Sequence, residues 1–176
     1  MIIFLEFIYN QNMTLIVKNK ETLIIDGFKF RCSIGKNGFV KKKIEGDKKT
    51  PIGTFNIGNL FYRGDRNKKP NTKIECVKIT RNMGWCDDPN DKRNYNKFLK
   101  NKKKIKCEKL YRKDNKYDFF IPITYNTKKI ILGKGSAIFI HLTHNYKSTL
   151  GCVAISKKDM IILLKLINKK TKIKIF

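Results

Sequence analysis

One stretch holds both histidines of this 176-residue chain and one of its five cysteines: Ser136-Ala-Ile-Phe-Ile-His-Leu-Thr-His-Asn-Tyr-Lys-Ser-Thr-Leu-Gly-Cys-Val-Ala-Ile155. An apolar run precedes His141, and a second apolar run follows Cys152. A cysteine becomes nucleophilic near neutral pH when a nearby base or imidazolium assists the loss of its proton. Two short neighbouring strands, one delivering His141 and one starting at Cys152, would form such a pair. The pattern fits equally a buried structural thiol and a surface histidine.

Gly151 precedes the cysteine. Glycine has no side chain and therefore lets the backbone approach a substrate closely. We predict that the N–H groups of Gly151 and Cys152 point at an oxyanion. We also predict that Cys152 is the thiol that iodoacetamide labels fastest near neutral pH, because of its pairing with His141.

Three segments of the sequence resemble the L,D-transpeptidase catalytic domain, the YkuD-like family. Gly46-Asp-Lys-Lys-Thr-Pro-Ile-Gly-Thr-Phe55 is similar to its Gly-Asp-x-x-Thr-Pro-x-Gly-x-Phe motif, and Ser148-Thr-Leu-Gly-Cys152 to its nucleophile motif. Asn82-Met-Gly-Trp-Cys-Asp-Asp-Pro89 resembles a segment of one proteobacterial branch. The resemblance covers 15–176. It departs from the family pattern at Leu150, where histidine is usual, and at Ala154, where arginine is usual.

The resemblance implies a cysteine acyl-transferase that acts on peptidoglycan tetrapeptide stems. Cys152 would form a thioester with the third stem residue, His141 would hold and shuttle the proton, and the Gly151 N–H would stabilise the oxyanion. An amine acceptor would then attack the thioester and complete a 3→3 cross-link. Carbapenem-type β-lactams would inhibit the enzyme. The chemistry implies no cofactor and no metal. Further substrate-site candidates are two hydroxyl donors and a weaker base: Ser148, Thr149 and His144.

Two alternatives remain open at this point. If water resolves the thioester, the enzyme is an L,D-carboxypeptidase. A net charge of +26 indicates attraction to a polyanion, and a non-catalytic nucleic-acid-binding module is the rival from another class. The excess is mainly lysine, which favours compositional bias over specific phosphate contacts. No specific nucleic acid is therefore expected as a partner.

The segment 84–91 contains the only tryptophan, Trp85, and three aspartates. Paired acids can perform acid–base chemistry or bind a cation, but such loops more often cap turns. A third interpretation suits the implied substrate: Asp87 would attract the amine of the acceptor peptide, with Trp85 beside it.

Short alternating runs predict a mainly β fold, a sandwich or partly closed barrel with one C-terminal helix, and the resemblance implies that this fold is YkuD-like. The helix should start after Ser156, a good N-cap, and bury an apolar stripe. Strands are predicted at 107–112 and 117–124, and the lysine-rich middle, 95–106, as weakly helical.

The domain prediction is one catalytic domain over 13–176, preceded at 1–12 by a leader or a start-site artefact. The first residues make a poor signal peptide, and no run is long enough for a membrane span. The resemblance implies a periplasmic or cell-envelope location, although the missing export signal leaves the cytoplasm open. We expect a monomer.

Overall fold

The computed structural model describes residues 13–176, which form fifteen short strands and one helix. The prediction of a mainly β, YkuD-like fold with one C-terminal helix is confirmed, because strands far outnumber the single helix among the described residues. The expected leader at 1–12 lies outside the described residues. Within the described part of the chain, no helix is both long enough and apolar enough to cross a membrane.

The elements are short and follow one another closely along the chain. In order they are β1 (Thr14–Asn19), β2 (Thr22–Ile25), β3 (Phe28–Ser33), β4 (Phe39–Val40), β5 (Thr50–Pro51), β6 (Gly53–Asn56), β7 (Leu60–Tyr62), β8 (Cys76–Lys78), β9 (Gly84–Trp85), β10 (Phe98–Leu99), β11 (Glu108–Lys109), β12 (Phe119–Pro122), β13 (Phe139–Leu142), β14 (Val153–Ile155), α1 (Lys157–Leu166) and β15 (Lys172–Ile175). Ten strands form a curled sheet in the order β6-β15-β1-β2-β3-β14-β13-β12-β7-β8.

The centre of this sheet is the parallel pair β13 and β14, in which Ile140 lies opposite Val153. Both strands are buried on both faces. Side chains alternate between the faces of a strand, so Ile140 and Val153 join an aliphatic core while Phe139 and Cys152 join a separate aromatic cluster. The alternation therefore places the cysteine on the aromatic face of the sheet.

Helix α1 covers the aliphatic face. The Ser156 hydroxyl accepts a hydrogen bond from the Asp159 N–H at 3.0 Å, which confirms the predicted N-cap. Met160, Leu163 and Leu164 are fully buried in the aliphatic core. The helix thus fixes the back of the strands that carry the histidine and the cysteine.

The middle of the chain differs from the sequence prediction. Residues 95–106 contain no helix; turns surround β10, which pairs with β9. Tyr95, Phe98 and Leu99 have helical spacing, but Tyr95 is buried by tertiary contacts and the other two pair with β9, so tertiary structure overrides the weak helix propensity. The predicted strand at 107–112 shortens to β11, which pairs with the other edge of β9. The resulting three-stranded sheet carries Trp85 and Glu108.

We predict that Leu163→Ala lowers the free energy of unfolding by about 3 kcal/mol, because it leaves a cavity in the aliphatic core. Ile161→Ala is the matched control, since Ile161 lies on the same helix but is 40% exposed, and it should cost less than about 1 kcal/mol. Urea unfolding of both variants measures the difference. Equal losses would show that α1 does not anchor the sheet through Leu163.

Candidate active site

The Cys152 thiol is hydrogen-bonded to the chain that leads into β13. The Phe139 N–H donates to Cys152 Sγ at 3.3 Å, and the S–H donates to the Ala137 carbonyl at 3.3 Å. The side chain is only 9% exposed and belongs to the aromatic cluster. Two backbone groups of the neighbouring segment therefore fix the sulfur in place.

His141 lies on the same face of the sheet as the thiol. It pairs with Ala154 across the parallel ladder, two residues after Cys152, and alternation directs both side chains to one side. His141 Nδ1 is 2.9 Å from the Leu142 carbonyl oxygen. A carbonyl can only accept, so Nδ1 carries the proton and Nε2 presents a lone pair. The tautomer is the one that a general base requires.

Burial keeps both groups neutral. Desolvation, opposed by the hydrogen bond with the Leu142 carbonyl and aided by the positive charges of Lys116 and Arg112, lowers the pKa of His141 to about 4. Desolvation, followed by the negative charge of Glu108, raises the pKa of Cys152 to about 12. At neutral pH the resting pair is a thiol and an imidazole rather than an ion pair. The two groups share one face of the sheet, and the resting S–H is directed to the Ala137 carbonyl rather than to the imidazole.

Gly151 occupies a position that only glycine fills without strain. Its φ is 142°, and a Cβ there would lie 2.9 Å from the Lys49 carbonyl oxygen. Its N–H donates to Thr149 Oγ1 at 3.0 Å, which engages the donor that the sequence assigned to an oxyanion. The Gly151 carbonyl accepts from the Thr50 hydroxyl at 2.9 Å. In this geometry the candidate oxyanion donor is the Cys152 N–H.

The three polar candidates of the loop before Cys152 occupy different environments. Thr149 is half-buried, and its hydroxyl donates to the Cys152 carbonyl at 2.7 Å, so it holds the loop together. Ser148 and His144 are exposed. A substrate contact by any of the three stays a prediction.

Trp85 forms a wall of the aromatic cluster next to the site. Its ring packs edge-on against Phe139, with centroids 5.1 Å apart. Its indole N–H donates to Asn96 Oδ1 at 3.0 Å, so the structure gives the tryptophan a packing role. Asn96 Oδ1 also accepts from the Ala137 N–H at 3.1 Å. The buried asparagine thus positions the residue whose carbonyl binds the thiol, and no sequence pattern marked it.

The aspartates after Trp85 divide into two roles. Asp88 and Asp91 accept hydrogen bonds from backbone N–H groups two or three residues ahead, as turn-capping residues do. Asp87 is exposed. Partial desolvation, then the charges of Glu45 and Asp88, raise the pKa of Asp87. Its proposed contact with an acceptor amine stays a prediction.

Glu108 and Tyr117 complete the wall beside His141, and the sequence analysis did not single them out. The Tyr117 hydroxyl donates to Glu108 Oε1 at 2.5 Å. The Tyr117 ring meets the His141 ring edge-on, with centroids 5.6 Å apart. The imidazole is therefore held by a carbonyl through Nδ1 and by an aromatic ring at its side. Within residues 13–176, no group of His, Cys, Asp or Glu side chains forms a metal site.

The sequence matches the family described as YkuD, the L,D-transpeptidase catalytic domain, over residues 7–175. The chain belongs to this family. Proteins of the family act on peptidoglycan peptides.

Among solved structures, the chain is similar to the helical cell shape determining protein Pgp2 from Campylobacter jejuni. The two are 19% identical, with a TM-score of 0.49. The alignment covers 98% of this chain and 54% of the other, so this chain spans about half the length of that protein. No curated protein matches the sequence significantly.

The labelling prediction from the sequence changes with the structure. All five thiols have a raised pKa, but Cys76 and Cys107 are half-exposed while Cys152 is buried. We expect iodoacetamide at pH 7 to label Cys76 and Cys107 first, and Cys152 labelling to rise about tenfold per pH unit up to pH 10, because only the thiolate reacts. Peptide mass spectrometry measures each site. Fastest labelling of Cys152 at pH 7 would show that His141 ionises it in the resting protein.

Proposed function

We propose that the protein is an L,D-transpeptidase that acts on peptidoglycan stem tetrapeptides in the cell envelope, with Cys152 as nucleophile and His141 as base. The observation that supports it most is that a backbone-anchored thiol and an imidazole with its Nδ1 held by a carbonyl lie on one sheet face, in a chain of this family. We also propose that the protein acts as a monomer.

In the acylation step, the Cys152 sulfur attacks the carbonyl carbon of the third stem residue while its proton passes to His141 Nε2. The Cys152 N–H binds the developing oxyanion. One such donor typically contributes about 3 kcal/mol. The C–N bond to the fourth residue, D-Ala, then breaks, and His141 returns the proton to the leaving amine. The product is a thioester on Cys152 and free D-Ala.

In the second step, an amine of a neighbouring stem attacks the thioester carbonyl. His141 takes a proton from that amine and returns it to the departing sulfur, so the thiol is regenerated and an amide is formed. The exposed carboxyl of Asp87 is suited to attract the cationic acceptor before it loses its proton. Water in place of the amine would give the L,D-carboxypeptidase reaction instead.

We predict that Cys152→Ala and His141→Ala abolish release of D-Ala from a disaccharide tetrapeptide, whereas His144→Ala only weakens it. Cys152 and His141 are fixed by the sheet, while His144 lies in the exposed loop. Liquid chromatography of the muropeptides follows both D-Ala release and the cross-linked dimer. Loss of turnover in His144→Ala, with His141→Ala active, would contradict the assignment of the base.

The same muropeptide products separate the two reactions. A tetrapeptide–tripeptide dimer supports transfer to an amine, and tripeptide without dimer supports hydrolysis. Absence of both products, with binding to a mixed DNA that weakens steeply with salt, would favour the nucleic-acid-binding alternative.

We predict that a carbapenem adds its full mass to the wild-type protein and not to Cys152→Ala, because the strained β-lactam carbonyl is an acyl donor for the same sulfur. A penicillin should react poorly; that preference follows only from the family resemblance. Intact-protein mass spectrometry compares both drugs. Turnover of the tetrapeptide without a drug adduct would retain the enzyme class and show that the pocket, altered at Leu150 and Ala154, rejects the drug.

A further inference from the structure

Lys43 is a buried lysine in the loop between β4 and β5. Its side chain is 2% exposed, and the ammonium donates to Asp47 Oδ1 at 2.5 Å and to the Lys49 carbonyl at 2.8 Å. Lysine is seldom buried, because removing a charge from water is costly unless it is paired. Lys43 is therefore unlike the many exposed lysines of this chain.

The Lys43 side chain lies against two glycines that flank the thiol site. A Cβ at Gly135 would be 2.8 Å from Lys43 Cδ, and a Cβ at Gly151 would be 3.3 Å from Lys43 Nζ. Gly135 leads into Ala137, whose carbonyl binds the thiol, and Gly151 directly precedes Cys152. The lysine thus contacts both segments that meet at the sulfur.

The same contacts anchor the Gly151 turn. The Lys49 carbonyl that Lys43 binds is 2.9 Å from the Cβ position of Gly151, and the next residue, Thr50, donates its hydroxyl to the Gly151 carbonyl. The Asp47 carboxylate accepts hydrogen bonds from Lys43 and from the Ile44 and Lys49 N–H groups. Although partial desolvation acts to raise the pKa of Asp47, these hydrogen bonds outweigh it, and the net pKa is lowered.

The charges that act on Cys152 come from several elements. Glu108 opposes a negative charge on the sulfur, whereas Lys43 and Lys116 favour it. Lys116 is exposed, so water and salt screen it, while the buried ammonium is screened far less. His141 and Tyr117, which also face the site, are neutral. Lys43 is a buried cation whose Nζ lies 3.3 Å from the Cβ position of Gly151, the residue before the sulfur.

We propose that Lys43 is a positioning residue of the thiol site, whose buried ammonium braces the Gly151–Cys152 turn and supplies the fixed positive charge against which the sulfur becomes anionic. The inference goes further than the proposed function and rests on it only for turnover. Its effect on the thiol itself is measurable without any peptidoglycan substrate.

The test compares Lys43→Met with Asp47→Asn. We expect Lys43→Met to slow iodoacetamide alkylation of Cys152 about tenfold at every pH from 8 to 10, since loss of one nearby cation raises a thiol pKa by about one unit. Asp47→Asn also breaks the ion pair but keeps the cation, so its rate should stay equal to wild type or rise. Lys42→Met, an exposed neighbour, is the matched control and should not change the rate.

A merely structural role predicts another result, because loosening the loop would speed alkylation equally in Lys43→Met and Asp47→Asn. That outcome, or an unchanged rate in Lys43→Met, overturns the proposal. If thermal unfolding shows that Lys43→Met does not fold, the double variant Lys43→Met/Asp47→Asn removes both charges and is compared with Asp47→Asn. The same slowing between those two supports the proposal, and equal rates overturn it.

The turnover assay separates this inference from the proposed function. With an active wild type, Lys43→Met should lower kcat for the tetrapeptide with little change in KM, because the charge acts on the reacting sulfur rather than on bound substrate. A wild type without turnover, combined with slowed alkylation in Lys43→Met, would refute the enzyme and retain the role of Lys43. Active turnover by the wild type, combined with unchanged alkylation in Lys43→Met, would support the enzyme and refute the role of Lys43.

Discussion

The rest of the site depends on the alternation of side chains along the parallel pair β13 and β14. Ile140 and Val153 are held in the aliphatic core under α1, so Phe139, His141 and Cys152 must lie on the opposite face. A shift of one residue in either strand would turn the thiol or the imidazole into the core. Fixing one face with apolar side chains thus fixes the side of the sheet on which the thiol and the imidazole lie.

The burial that positions these groups also sets their protonation. A sulfur with a pKa near 12 and an imidazole with a pKa near 4 are both uncharged in the resting protein, which limits adventitious oxidation and alkylation of the thiol. In the proposed reaction this burial has a cost, because negative charge must develop on a poorly solvated sulfur. Fixed backbone donors and a fixed cation offset that cost without reorganisation at the moment of attack. Burial and preorganised polar groups are therefore two parts of one arrangement.

The sequence predicted the parts of the molecule whose signals are local. Two apolar runs around a histidine and a cysteine predicted β13 and β14, and Ser156 with its apolar stripe predicted α1. The lysine-rich middle was wrongly predicted as helical, because its strand β10 exists only through pairing with β9. The supports of the site, Asn96, Glu108 and Tyr117, could not be found, since each acts through contacts with residues distant in the sequence. Lys43 stood in a run of three lysines with nothing local to distinguish it.

The net charge of the protein and the few charges around Cys152 influence different properties. A net charge of +26 describes an exposed lysine surface that water and salt screen within about 10 Å, so it governs weak attraction to anionic polymers and not the reaction at Cys152. The sulfur responds instead to a few poorly screened groups. Glu108 in β11 acts against its ionisation, and Lys43 in the loop between β4 and β5 acts for it. The ionisation of the thiol therefore depends on the local balance between these two charges, and the charge of the exposed surface has little part in it.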